Sequence, residues 1–198
     1  MSTTATPTPR VANTIKAPVS PSAPTAAHAH TADKSYQLPV AAGRVAAALR
    51  VVYGFTFLWA FLDKLFGLHF STPTAKSWLN GGNPTKGFLS SSEGPFSGFY
   101  HSIAGHGLTN WAFLLACLAL GVALILGIGM RLAAIGGAIM YAMMYTVVLP
   151  TVTNPFIDDH LVGLLVVVLL ALIGAGHVWG LGTAWNKVDI VRRYPILR

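Results

Sequence analysis

The stretch GLTNWAFLLACLALGVALILGIGM, residues 107–130, contains no Asp, Glu, Lys or Arg. Two more stretches without these residue types follow at 132–157 and 161–186. A helix needs about 20 mostly apolar residues to cross a hydrocarbon core of roughly 30 Å. Each stretch is long enough to do so. The sequence therefore predicts an integral membrane protein that is embedded in the lipid bilayer.

The composition of the whole chain agrees with this prediction. Only 10% of its 198 residues are charged, against about 25% in soluble domains. The net charge is +7, but the basic residues flank the apolar stretches and nucleic-acid-binding motifs are missing. We therefore expect them to orient the chain in a membrane, and we expect no nucleic-acid partner. The one cysteine, Cys117, lies inside an apolar stretch, which excludes an internal disulfide, a CxxC redox pair and a cysteine zinc site.

Turn and cap residues divide the apolar stretches into four predicted helices. Three run over about 43–68, 109–127 and 132–149, and the fourth begins at Asp158-Asp159-His160 and ends in a glycine-rich segment at 174–182. Long apolar runs without two-residue alternation exclude a closed β-barrel. The pattern predicts an all-α membrane protein, a four-helix transmembrane bundle with a long outer loop between helices one and two.

The chain is predicted to have three parts. Residues 1–42 are rich in Thr, Ala, Pro and Ser without helical or strand periodicity, which predicts a disordered tail. The tail lacks the apolar run of a secretory signal, so we expect it to be retained in the cytoplasm. Residues 43–185 are predicted to form the membrane domain, and residues 186–198 a basic cytoplasmic C-terminal tail.

Basic residues near the helix ends predict the orientation of the bundle. Seven lie on one side and two on the other: Lys34, Arg44, Arg131, Lys187, Arg192, Arg193 and Arg198 against Lys76 and Lys86. Because Lys and Arg concentrate in cytoplasmic segments, we expect a multi-pass protein of the plasma membrane with both termini cytoplasmic. The connection at 69–106 would then lie outside. Its aromatic residues suit a lid in the membrane interface: Trp78, Phe88, Phe96, Phe99 and Tyr100.

Three short motifs carry a resemblance to a known family. They are Arg50-x-x-x-Gly54 leading to Asp63-Lys64-Leu65, Gly87-Phe-Leu to Gly94-Pro-Phe96, and Asn154-Pro-Phe-Ile-Asp-Asp-His160. Over residues 43–185 the chain resembles the DoxX/DoxD family, in particular the branch of the membrane subunit of thiosulfate:quinone oxidoreductase.

The resemblance implies a four-helix membrane protein linked to quinone reduction, with thiosulfate or a related reduced sulfur anion as electron donor. It implies a second redox subunit, which we expect to be a separate polypeptide because residues 186–198 leave no room for a further domain. A non-catalytic anchor that recruits redox proteins is the alternative function. The sequence does not determine the oligomeric state, and it is compatible with a homo-oligomer.

The candidate catalytic residues Lys64, Asp159 and His160 belong to a charged cluster at the outer ends of the helices. Ionisable groups at membrane depth are costly and indicate function by default. In one interpretation Lys64 binds the substrate charge while His160 and Asp159 relay protons. In the other, Lys64 pairs with Asp158 or Asp159 to hold helix one against helix four, and the histidines are merely interfacial.

Helix three offers candidate quinone-binding residues, Tyr141 and Tyr145, beside Met140 and Met144. Spacing of i, i+4 stacks each pair along one strip of the helix. A quinone head needs flat apolar walls and a hydrogen-bond donor, which Met and Tyr supply together. Ordinary core packing would give the same pattern, so both interpretations stay open.

Arg50 is the third candidate for binding the quinone. It lies roughly 20 Å from Asp63 toward the cytoplasmic side, at 1.5 Å per residue, and the spans carry no acid at that depth. It either reaches lipid phosphate or faces the bundle and holds a polar group such as a quinone carbonyl. Single elements contain no HxxxH or HExxH spacing, so no metal site is predicted.

Overall fold

The structure, a computed structural model, describes residues 1–2, 38–152 and 154–198. Most of the predicted N-terminal tail at 1–42 lies outside these residues. In the described part the regular structure is helical, without a strand. Its α-helices are α1 (Val40–Phe66), α2 (Lys86–Ser90), α3 (Ser97–Ile103), α4 (Gly107–Leu126), α5 (Met130–Val147), α6 (Asp159–Leu172), α7 (Gly182–Trp185) and α8 (Asp189–Arg193).

Three of these helices are long and apolar enough to cross a membrane. They are α1 with 27 residues, α4 with 20 and α5 with 18. The apolar helix α6 has 14 residues, about 21 Å at the helical rise of 1.5 Å per residue. The chain therefore has the architecture of an all-α, multi-pass membrane protein.

Helix α1 begins earlier than predicted, at Val40 instead of about residue 43. Proline at position 39 fits immediately before a helix because it has no N–H to leave unpaired. The Gly43 N–H already donates to the Pro39 carbonyl over 3.0 Å. At the other end the helix stops at Phe66, because Gly67 turns left-handed with φ 73°, a conformation that glycine adopts without steric cost.

The helices α1 and α4 run antiparallel and approach closely through two glycines. A Cβ atom on Gly54 would lie 2.8 Å from the backbone nitrogen of Ile125, and one on Gly121 would lie 2.8 Å from the backbone nitrogen of Leu58. Neither position has room for a side chain. Further contacts join α4 to α5, α5 to α6, and α6 back to α1. Their shared core includes Phe57, Cys117, Leu120, Leu124, Met140, Val167 and Leu170.

The C-terminal segment 186–198, predicted as a basic tail, is folded against the bundle. The Arg131 Nη1 donates to the Pro195 carbonyl over 2.9 Å, and the Trp185 indole N–H donates to the Leu197 carbonyl over 2.5 Å. Val191 of α8 is fully buried. We call the end of the bundle that carries this segment the C-terminal end, and the end that carries residues 67–106 the loop end.

Candidate functional site

A cavity of about 1200 Å³ lies at the loop end, between α4 and α5 and beneath the loop segment 71–90. Helix α1 contributes Ala60 and Lys64 to its lining. Most of the wall is apolar. Its large apolar side chains include Phe88, Leu89, Phe113, Met140, Met143 and Met144.

Three lysines line this cavity: Lys64, Lys76 and Lys86. Its described lining contains no Asp or Glu. The Lys64 Nζ lies 3.4 Å from the Ser71 Oγ and 5.9 Å from the centre of the Phe113 ring. No described carboxylate lies within 4.0 Å of it. The cavity thus combines apolar walls with positive charge, and Lys64 keeps N–H donors available for a ligand.

Asp63 explains why its neighbour Lys64 stays unpaired with a carboxylate. The Asp63 side chain is buried and turned toward the start of the loop. Its carboxylate accepts the Phe70 N–H over 3.2 Å, the Ser71 N–H over 3.1 Å and the Ser71 hydroxyl over 2.7 Å. Backbone and hydroxyl donors therefore satisfy this acid, and it fixes where the loop leaves α1.

The predicted ion pair between Lys64 and Asp158 or Asp159 is wrong. Asp158 instead caps α6, accepting the Leu161 N–H over 3.0 Å, and its second oxygen accepts the His160 Nδ1–H at 2.5 Å. Asp159 is exposed and has no ion-pair partner among the described residues. The capping role explains the difference, because an acid at a helix N-cap finds backbone donors at once.

The pKa of Asp158 lies below its ordinary value. Burial on its own would raise this pKa, but the hydrogen bonds from the His160 ring and the Leu161 N–H stabilise the carboxylate and outweigh burial. Asp158 is therefore ionised throughout the physiological range. This charge keeps the cap of α6 and its contact with His160 in place.

His160 lies behind one wall of the cavity and does not line it. Its ring centre is 6.3 Å from those of both Phe88 and Tyr141. Phe88 is part of the lining, so it separates the imidazole from the interior. Of the three candidate catalytic residues, the structure brings only Lys64 to the cavity.

The candidate quinone-binding tyrosines lie outside the cavity. Tyr141 packs with its ring centre 5.3 Å from that of Phe57, and a Cβ on Gly163 would lie 2.6 Å from the Tyr141 ring. Tyr145 donates its hydroxyl proton to the Phe156 carbonyl over 2.8 Å. Their helical neighbours Met140 and Met144 line the cavity instead, because they lie on the face of α5 that turns toward α4.

Arg50 lies at the C-terminal end, far from the cavity. Its side chain is fully buried, 0% exposed, so it does not reach lipid phosphate. Its guanidinium donates to the carbonyls of Leu124, of Ile125 at 2.8 Å and of Trp179 at 3.0 Å. The last carbonyls of a helix carry partial negative charge. The Arg50 side chain thus ties the end of α4 to the 178–179 segment.

Sequence reasoning missed the residues that hold the cover of the cavity. The buried Asn110 of α4 accepts the Thr85 hydroxyl over 2.8 Å and the Thr85 N–H over 3.1 Å, and donates to Asn83 Oδ1 over 3.0 Å. On the other side, the Tyr100 hydroxyl donates to the Met143 carbonyl of α5 over 3.2 Å. An Asn in the first turn of an apolar helix was the only signal in the sequence. This signal did not identify the loop residues that bind Asn110.

The described residues contain no group of three or more His, Cys, Asp or Glu side chains that could hold a metal ion. Comparison of the chain with protein-family models, with curated proteins and with solved structures gives no match.

Proposed function

We propose that the chain is the membrane subunit of a quinone-linked oxidoreductase of the DoxX/DoxD family, and that the cavity at the loop end takes the quinone head. The observation that carries this proposal is the combination of a large apolar cavity, its position at the ends of membrane-type helices, and the amino group of Lys64 within it. Ligand sites are typically apolar concavities with a few well-placed polar groups.

The lining residues fit a quinone. Met140, Met144 and Phe113 offer polarizable and flat surfaces for its ring. Lys64 offers N–H donors for a carbonyl oxygen, and the segment around Phe88 covers the head from water. A bound quinone would supply an acceptor for two electrons and two protons. His160 and Asp159 are proposed to carry protons to the loop end, where the His160 ring lies beside Phe88 of the cavity wall; the Phe88 side chain would have to move aside for a proton to reach the quinone.

The electron donor is proposed to be thiosulfate or a related reduced sulfur anion. Lys76 and Lys86 are exposed and line the cavity, so they create positive potential where such an anion would approach. Positive clefts raise the local concentration of anions. A separate redox subunit is proposed to dock at this end and to complete the electron transfer.

All four of α1, α4, α5 and α6 are proposed to cross the membrane, with both termini in the cytoplasm of a plasma-membrane protein. Helix α6 is short, but the Ala175–His177 turn continues it toward the C-terminal end. The bundle would place Lys76 and Lys86 outside and the basic C-terminal segment inside, as expected for a membrane protein.

Quinone binding by the purified chain tests the proposal. Quinones quench tryptophan fluorescence, and Trp78 and Trp111 form an edge-on pair, with ring centres 5.4 Å apart, beside the loop that covers the cavity. We expect decylubiquinone to quench the wild-type protein saturably. Lys64→Met should weaken binding by about 10- to 100-fold, because the head loses a charged donor worth about 1.5–3 kcal/mol. Lys187→Met, at the C-terminal end, is the matched control and should bind as wild type.

Two results would contradict this function. One is a wild-type protein that does not bind decylubiquinone, and the other is a Lys64→Met variant with unchanged affinity. Thermal unfolding of each variant in the same detergent separates lost binding from lost structure.

A second candidate function is a non-catalytic anchor for redox proteins. It is favoured by the surface of the C-terminal segment, where Ile190 and Tyr194 are exposed beside Arg192 and Arg193. If the chain is only an anchor, Arg192→Ala with Arg193→Ala should release the partner from purified membranes, and the chain should bind no quinone.

A further inference from the structure

The cavity reaches the outer surface of the bundle between α4 and α5. Leu108, Ile139 and Met143 all line it. The same side chains are 82%, 58% and 43% exposed, more than burial in the cavity wall alone would leave. Residues on membrane-spanning helices that are exposed in this way face lipid. The cavity therefore has a side opening toward the bilayer as well as its cover at the loop end.

Small residues create this opening. Ala112 and Ala116 line it from α4, and Gly136 lines it from α5. A Cβ on Gly136 would have the Leu120 Cδ2 as its nearest neighbour, 3.8 Å away. At Gly121, in contrast, a Cβ would lie 2.8 Å from backbone of the neighbouring helix. Gly136 thus does not serve close packing, and the space beside it is unfilled.

The opening extends from the loop end to about the middle of the membrane. Ala116 is nine residues after the first residue of α4, about 14 Å along the helix at 1.5 Å per residue. Half of a typical hydrocarbon core is about 15 Å. Apart from Thr109, the side chains of α4 and α5 that line this groove are apolar, so it matches an amphiphile whose tail lies between the two helices.

The volume of the cavity points in the same direction. At about 1200 Å³ it exceeds the range of about 300–1000 Å³ in which drug-sized ligands bind. A quinone ring fills only a small part of such a space. The part between Ile139 and Ala116 is apolar and suits the first units of a hydrocarbon tail.

We propose that the ligand enters sideways from the bilayer, between α4 and α5, and that its tail stays in this opening while its head lies near Lys64. This inference rests on the proposed function for the identity of the head, a quinone. It adds the route and the ligand class: a lipid-dissolved quinone with an isoprenoid or alkyl tail, selected over water-soluble quinones by tail contacts with Ile139, Met143 and Ala112.

Closing the opening tests this route. The protein in lipid nanodiscs is titrated with decylubiquinone and with the same ring lacking a tail, and binding is followed by tryptophan quenching. We expect the wild type to bind decylubiquinone at least about tenfold more tightly. Gly136→Phe should remove most of this advantage and leave binding of the tail-less ring within about twofold. Ile135→Phe adds the same ring to the neighbouring residue, which is exposed but does not line the cavity, and should change neither.

Ala112→Phe narrows the opening from the opposite helix and gives an independent test if Gly136→Phe unfolds, as checked by thermal melting and gel filtration. Equal wild-type affinity for the two quinones, or an equal loss of both in a folded Gly136→Phe or Ala112→Phe variant, would overturn the side route while leaving quinone binding intact. Failure of the wild type to bind either quinone would instead remove the proposed function, and this inference with it.

Discussion

Arg50 is a buried cation whose hydrogen-bond partners are all backbone carbonyls. They belong to the end of α4 and to residues 178–179, which are 74 to 129 positions away in the sequence. The sequence identified Arg50 as unusual because the spans carry no acid at its depth. The sequence could not identify the acceptors of Arg50, because every helix end offers unpaired carbonyls and the relative positions of the helices are not known from sequence.

We expect Arg50→Lys to lower the free energy of unfolding by about 1–3 kcal/mol. A single ammonium cannot span carbonyls on two segments as the planar guanidinium does, so buried acceptors lose their donors. Arg44→Lys is the matched control, because Arg44 is exposed on the same helix, and it should cost almost nothing. Unfolding in mixed micelles measures both. Equal stability of the two variants would mean that the carbonyl contacts are not stabilising.

Asp158 caps α6, and its ionisation should make the stability of this helix depend on pH. Asp158→Ala should cost about 1 kcal/mol at pH 7, the usual value of an N-cap. Asp159→Ala, at the exposed neighbouring position, is the control and should cost much less.

The sign of the pH effect follows from the lowered pKa of Asp158. A carboxyl whose pKa is lower when folded stabilises the protein above its unfolded pKa of about 3.9, and this contribution is lost as the pH falls through the folded pKa. The stability difference between wild type and Asp158→Ala should therefore shrink as the pH falls below about pH 4. A difference that does not shrink below about pH 4 would contradict this role of the carboxylate.

At the scale of the elements, the apolar runs predicted α1, α4, α5 and α6 to within a few residues at most boundaries. Long periodic or uniformly apolar segments specify a helix strongly. The short helices α2 and α3 inside the 67–106 loop were not predicted. Their turns are fixed by distant contacts such as Asn110 with Thr85 and Tyr100 with Met143, and local sequence does not contain that information.

Two helical glycines allow the same substitution to be compared in opposite surroundings. Gly121→Ala should destabilise the protein by about 1–3 kcal/mol, because its Cβ would meet the α1 backbone and push the helices apart. Gly136→Ala should be neutral or stabilising, since alanine favours the helix by up to about 1 kcal/mol and the space beside Gly136 is open. Thermal unfolding compares them directly. Equal destabilisation would show that the α4–α5 gap is filled in solution.

At the scale of the whole molecule, the membrane class followed from composition, but the cavity did not. Lys64 lies at the loop end and lines the cavity, but the carboxylate partners expected for it were wrong because Asp158 caps α6. The cavity depends on a mismatch in packing between α4 and α5. Such a mismatch depends on how the surfaces of the two folded helices fit together. In the sequence it is visible only as the small residues Ala112, Ala116 and Gly136.

The orientation of the molecule is tested by thiol labelling of intact cells. Ser91→Cys lies in the exposed loop and should react with a membrane-impermeant maleimide from outside. Thr183→Cys is exposed at the C-terminal end and should react only after permeabilisation. The native Cys117 is buried and provides an unlabelled background. Labelling of Thr183→Cys alone in intact cells would reverse the topology and place the three lysines in the cytoplasm.

The helices α4 and α5 are connected differently at their two ends. A tight turn joins them directly at the C-terminal end, whereas at the loop end they are connected through contacts with the 67–106 loop. At the C-terminal end Gly127 and Gly129 form a tight turn, and Arg131 fastens the start of α5 to the chain terminus. Helix α5 has 18 residues, so it is about 27 Å long at 1.5 Å per residue. A tilt of about 5° at the turn would move its far end by about 2 Å. A tilt of α5 that is too small to disturb the turn would thus change the distance between α4 and α5 at the loop end by more than the radius of a carbon atom.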